Sequence, residues 1–337
     1  MSDFLKSNWF VIVIAIILIS FIGYFVIDSN QYNVSSKTAD GKDVVTSIEG
    51  KDITADTLYD ELSKFDSSLL YNMYHNAVVE QSVKTTSDIK EEATKLESTI
   101  RTNAQSQQEN YEASLSAELA QYGYGSVNEL KDYCIMTIKE KELNKKFITK
   151  HFDEYKEAVE LAKPRTISLI SMAVIDPNNL SDAEKEKQKN IDEALEKGSF
   201  ADAATAFSED ATTAASDGFF GYIDSSLNNT PLDPTLKTEA LELEKGQTSE
   251  WITVNDSNSG ATSLYKIHIN ETNLEKMFKS KNESVKDQVL FSFLQNNKGL
   301  PVTIIEEAAK KLDVKFEDKE AQKKIEDFMK TQKGDIQ

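Results

Sequence analysis

The sequence predicts an α+β chain in which a helical domain built from both chain ends carries a small inserted α+β module, preceded by an apolar amino-terminal segment. Three observations predict it. All five prolines (Pro164, Pro177, Pro231, Pro234, Pro301) lie at or beyond residue 164, and proline is excluded from helix interiors. Residues 54–160 are rich in Glu, Lys, Ala, Leu and Gln, which favour helix. Charge changes at the same places. Of the formal net charge of −19, from 38 basic and 57 acidic residues, segments 28–163 and 164–272 hold the acidic surplus, while 273–337 is near neutral. A near-neutral tail suits packing on an acidic first segment. The expected divisions are therefore 1–30, 31–163, 164–272 and 273–337.

The acidic balance argues against nucleic acid as a partner, because a nucleic-acid binder needs a basic face to displace phosphate counterions. One cysteine, Cys134, cannot form an intrachain disulfide or a Cys-rich zinc site. His75, His151 and His268 lack paired ligand spacing. No Gly-rich phosphate loop and no nucleophile elbow is present. No cofactor and no metal is expected.

Trp9 to Ile27 reads WFVIVIAIILISFIGYFVI, nineteen residues without a charge. As a helix it spans roughly 28 Å, about one hydrocarbon core. The reading adopted is an uncleaved membrane anchor. A cleaved signal peptide is the alternative, but the run exits through Tyr24-Phe25-Val26-Ile27-Asp28, which is a poor cleavage site. Lys6 marks the short side as cytoplasmic and residues 28–337 as extracytoplasmic.

Beyond the anchor, Asn72 to Gln121 reads as long helices with a thin apolar seam, and Gly123 and Gly125 mark a turn. Val127, Leu130, Cys134 and Ile138 then share one face of a helix, with Cys134 as a small buried apolar group. After Pro164 the texture changes. Arg165 to Ile175 alternates and reads as a strand. Ser181 caps a helix that ends at Gly198, and Phe200 to Phe207 forms a second. A loop rich in Thr, Ala, Ser, Asp and Gly follows, then a helix after Pro234 that ends at Lys245-Gly246. Strands at 250–254 and 263–270 flank a hairpin loop. The order is β-α-α-(β)-α-β-β. Helix returns after Asn273, with rows Val285/Val289/Phe293 and Ile305/Ala308/Ala309/Leu312.

Within the middle module, Phe200-Ala201-Asp202-Ala203-Ala204, Phe207-Ser208-Glu209-Asp210 and Asp217-Gly218-Phe219-Phe220-Gly221-Tyr222 follow one another at set spacing. Leu243-Glu244-Lys245-Gly246-Gln247-Thr248-Ser249 comes later. Together they resemble the signature of the parvulin-type peptidyl-prolyl isomerases, over nearly all of 164–272. The flanks Val45–Thr54, leading into Leu58-Tyr59, and Leu312–Asp318 are similar to the opening and closing segments of the extracytoplasmic foldase branch of that family.

The resemblance implies a parvulin-like domain inserted in a helical chaperone domain. It also implies peptidyl-prolyl cis–trans isomerisation by an anchored extracytoplasmic foldase. The alternative is a holdase that grips unfolded exported clients without useful catalysis. The implied partners are unfolded or partly folded exported polypeptides containing X–Pro bonds, the membrane through the anchor, and a second copy of the chain as a homodimer.

By motif position, the resemblance places Asp210 in the catalytic polar cluster and Phe220, Leu232, Leu236 and Tyr222 in the proline pocket. Ser171 stands where the first family histidine is expected, and Lys266 aligns with the second. His268, two residues on, is either a substitute for it or an ordinary strand histidine. Phe219 replaces the acidic residue of the glycine-rich motif. For Asp210 the alternative is a turn-capping carboxylate. For the two leucines it is core packing.

Overall fold

In the computed structural model the described residues are 38–39, 41–48, 51–55, 67–107, 110–210, 212–227, 231–256 and 260–334. The Trp9–Ile27 run and Leu58-Tyr59 lie outside them. Among the described residues no helix is long and apolar enough to cross a membrane. The chain divides into two compact units, one of residues 1–143 with 302–337, the other of residues 144–301.

The first unit opens with a three-stranded antiparallel sheet, β1 (Thr38–Ala39), β2 (Lys42–Ile48) and β3 (Lys51–Thr54), in that spatial order. Helices α1 (Ser67–Ser82), α2 (Ser87–Gln107) and α3 (Tyr111–Ala120) follow, then α4 (Leu130–Lys150). Their seam is thin, as the sequence predicts. Val83, Ile89, Ala93, Leu115 and Leu119 bury against Leu130, Cys134 and Ile138 on the expected face of α4. Burial pushes the Cys134 thiol up to about 11.

Both chain ends share a core in this unit. Val78 and Val79 of α1 pack on Ile305, Ala308 and Ala309 of α11 (Leu300–Lys311). Tyr71 packs with Ile325 and Met329 of α12 (Lys319–Lys333), its ring 4.8 Å from that of Phe328. Leu312, expected in the α11 row, is 37% exposed, because α11 ends at Lys311.

The second unit is wider than the 164–272 module. It takes in α5 (Phe152–Leu161), α9 (Leu274–Phe278) and α10 (Glu283–Asn296). The reason is a shared aromatic core: Phe152 lies 5.3 Å, ring to ring, from both Phe278 and Phe293. The Asn297 amide also donates to the Tyr155 carbonyl.

The unit's sheet is antiparallel, ordered β5 (Phe219–Ile223), β4 (Arg165–Val174), β7 (Thr262–Glu271), β6 (Ile252–Asn255). Side chains alternate between its faces. On one face Ile167 and Leu169 of β4 and Ile267 and Ile269 of β7 bury against Leu232, Leu236 and Ala240, the last two on α8 (Pro234–Glu242). On the other, Ile170, Met172, Val174 and Leu264 meet Ile191 of α6 (Asp182–Lys197) and Phe200, Ala203 and Ala204 of α7 (Phe200–Phe207).

Local signals place these helices. Ser181 and Glu184 form a reciprocal capping box at the start of α6. Asp233 caps α8, with Pro234 at its first turn. The buried Arg165 guanidinium donates to the carbonyls of Ala240 and Leu243 at the other end of α8, fixing that helix to the sheet. Gly218 (φ +77°) has no room for a side chain: a Cβ would sit 2.7 Å from the Ala204 methyl and 2.9 Å from the Leu169 carbonyl oxygen.

Candidate functional site

The α8 face of the sheet carries most of the expected pocket residues. Leu232 and Leu236 are buried in its core, with 6% and 2% exposure, and Phe220 packs half-buried at the edge of that cluster. The leucines therefore serve as core, and any apolar surface offered to a ligand is carried by Phe220 and its half-buried neighbours.

Ser171 comes to this face from β4, because it shares the parity of Ile167 and Leu169. Its backbone is held by the loop after α7. The Ser171 amide donates to Ser208 Oγ (3.2 Å), its carbonyl accepts from the Glu209 amide (2.9 Å), and the Ala173 amide donates to the Glu209 carboxylate (2.7 Å). The same loop brings Asp210 beside the strand. One carboxylate oxygen of Asp210 accepts from the amides of Thr212 (2.9 Å) and Thr213 (3.2 Å), so it caps this turn.

Directly across the ladder from Ser171 stands Tyr265, which in turn pairs with Ile252 on β6. Tyr265 is half-buried and packs on the Leu232/Leu236 cluster. Burial raises its phenol pKa, and the carboxylates of Asp210 and Asp233 raise it further; the Ser171 hydroxyl acts the other way. The face thus brings together an apolar floor, two hydroxyls, a neutral phenol among them, and carboxylates at the rim. It can hold an apolar ring and present hydrogen-bond donors to a polar group beside it.

Residues 169–267 match the family described as the rotamase, or PPIC-type PPIASE, domain. The middle of this chain is a PPIC-type rotamase domain.

The strand register of that rotamase domain decides between the two readings of His268, places Lys266, and corrects the pocket placement of Tyr222. His268 shares the parity of Leu264, so it faces α7 rather than the α8 face. There it stacks on Phe200 (5.1 Å, 22°) and hydrogen-bonds Thr248 (2.9 Å), and burial lowers its pKa. It is an ordinary strand histidine. Lys266 lies on that second face too, 3.5 Å from Asp192 and 5.2 Å above the Trp251 ring. Tyr222 is absent from the pocket for the same reason: its ladder partner is Thr166, not Ile167. It is 1% exposed, and its hydroxyl donates to the buried Asp224 (2.9 Å).

The residue that sequence reasoning missed is Tyr265. Counting in steps of two back from the apolar Ile269 and Ile267 reaches it. Aligning short motifs instead selected its neighbours. Among the described residues no group of three or more His, Cys, Asp or Glu side chains could hold a metal ion.

Solved structures similar to the chain include the foldase protein PrsA from Streptococcus pneumoniae str. Canada MDR_19A, at 19% identity, covering 85% of this chain and 99% of that one, with a TM-score of 0.42. PrsA from Bacillus subtilis is 20% identical, with 85% and 98% covered and a TM-score of 0.44. One structure described with the SurA-like chaperones PEB4 and Cj1289 of Campylobacter jejuni gives 16% identity, 82% and 100% coverage and a TM-score of 0.23. No curated protein sequence matches the chain.

Proposed function

We propose that this chain is a membrane-anchored extracytoplasmic foldase that catalyses cis–trans isomerisation of X–Pro bonds in unfolded exported polypeptides. The observation that carries the reading is the rotamase match over 169–267. The barrier to X–Pro rotation is roughly 18–20 kcal/mol, because twisting the amide breaks its resonance. No bond in the client is made or broken. A catalyst has only to bind the twisted amide better than either planar form. An apolar surface at Phe220 can hold the proline ring, while the hydroxyls of Ser171 and Tyr265 and the Asp210 carboxylate supply the polar contacts. The uncharged Trp9–Ile27 run would serve as the anchor, with residues 28–337 outside the cytoplasm.

A second reading has its own supporting observation. Where the family resemblance implies histidines, this face presents Ser171 and Tyr265. That favours a holdase that grips clients with little catalysis.

Proline-peptide isomerisation measured on the full chain, beside suppression of aggregation of an unfolded client, separates the two. The foldase reading expects acceleration that falls on Phe220→Ala. Aggregation suppression without any acceleration leaves the holdase reading standing. Protease added to intact protoplasts should digest residues 28–337, and complete protection would refute the proposed orientation.

A further inference from the structure

We propose that the Tyr265 hydroxyl is the hydrogen-bond donor that favours the twisted X–Pro amide, with Ser171 across the ladder orienting it. The inference rests on the isomerase reading above and names the group that performs it.

Position comes first. Tyr265 sits on the face that holds Phe220, Leu232 and Leu236, flanked in the ladder by Ser171 on one side and Ile252 on the other. Phe220 and Tyr265 pack against the same buried cluster, so one apolar face serves both. Two other polar side chains of β7, Lys266 and His268, face the opposite layer and are occupied there by Asp192 and Thr248.

The chemistry comes second. Rotation about the X–Pro bond removes the nitrogen lone pair from conjugation and localises it on nitrogen. A donor aimed at that nitrogen binds the twisted form and gains nothing from the planar ones, which is differential binding of the transition state. A neutral phenol is such a donor, whereas a phenolate is not.

The surroundings keep it neutral. Besides burial, the charged groups acting on the phenol are carboxylates. Asp210 belongs to the loop after α7, Asp233 caps α8, and Asp256 lies in the turn between β6 and β7. An ordinary tyrosine already stays protonated to about pH 10, so the donor is present throughout the neutral range. A histidine in its place would switch near pH 6.5.

The test is exchange NMR of a proline tetrapeptide with the full chain, from pH 6 to 9. Wild-type kcat/KM should be flat across that range. Tyr265→Phe keeps the ring and should lower kcat about tenfold, with KM within about twofold, below the ~10²–10³ seen for a single oxyanion donor. Ser171→Ala should lower it less. Tyr265→His should introduce an inflection near pH 6.5 that a merely structural residue would not produce. Circular dichroism and Trp251 emission report folding of each variant. If Tyr265→Phe fails to fold, the wild-type profile and Ser171→Ala still decide: a wild-type rate that breaks near pH 6.5, or an unchanged Ser171→Ala, overturns the inference. An active wild type with an indifferent, folded Tyr265→Phe overturns it alone and leaves the isomerase reading intact. A wild type without activity overturns both.

Discussion

Asp224→Ala should be among the most damaging single changes in the second unit. Asp224 is completely buried at the end of β5, yet its carboxylate accepts five hydrogen bonds. Tyr222 Oη (2.9 Å) and Ser292 Oγ (2.5 Å) donate to one oxygen. The Ser226 amide (2.8 Å), Ser226 Oγ (2.7 Å) and the Leu227 amide (2.9 Å) donate to the other. Truncation strands the donors. Those of Ser226 and Leu227 are half-buried and can turn to water. Tyr222 and Ser292, at 1% and 0% exposure, cannot.

An orphaned buried donor costs about 1–3 kcal/mol. Two of them, partly offset by no longer burying a carboxylate, give an expected loss of about 2–5 kcal/mol. That is a large fraction of the ~5–15 kcal/mol that holds a domain folded. Asp224→Asn keeps one acceptor oxygen and should lose about half as much.

The assay is urea unfolding of the full chain, followed by the emission of Trp251, which packs on the second unit's core. The midpoint should fall without a change in slope. An Asp224→Ala chain within about 0.5 kcal/mol of wild type, the ordinary range for a surface change, would refute the reasoning.

Three further outcomes follow from the same geometry. Gly218→Ala places a methyl within 2.9 Å of the Leu169 carbonyl at a left-handed φ, and should lower stability by about 2–4 kcal/mol in the same urea experiment. The depressed His268 pKa means that the folded state binds its proton less readily than the unfolded chain does. Its contribution is complete above the unfolded value of ~6.5 and is lost as pH falls below it, so His268→Gln should flatten stability below about pH 6.5. Native Cys134, fully buried with its thiol pushed up to about 11, should resist a thiol reagent at pH 8 and react only in denaturant.

Much of this architecture is legible because its signals are local. The Ser181 cap, the Phe200–Phe207 helix, the β4 alternation and the α4 row of Leu130, Cys134 and Ile138 each depend on residues within a few turns of one another. The motif spacing in 200–222 likewise points to the family without knowledge of any contact. The opening β-hairpin of the first unit and the membership of α9 and α10 in the second were not legible in the same way. That membership depends on partners far along the chain, as Phe152 meets Phe278 and Phe293, whereas the hairpin pairs near neighbours such as Ile48 with Lys51.

The sequence by itself determined the element types of the middle module, its rotamase signature and the candidacy of Ser171, Asp210 and Phe220. Only the tertiary structure decided which side chains meet. A strand turns successive residues to opposite faces, so a motif placed one residue out selects the wrong layer. That single step aligned Lys266 with the family histidine, offered His268 as its substitute and left Tyr265 out, and the ladder pairing of Ser171 with Tyr265 reverses it. The same parity removes Tyr222, whose phenol serves the buried Asp224 instead. Register is set by pairing between segments nearly a hundred residues apart, which no local pattern encodes.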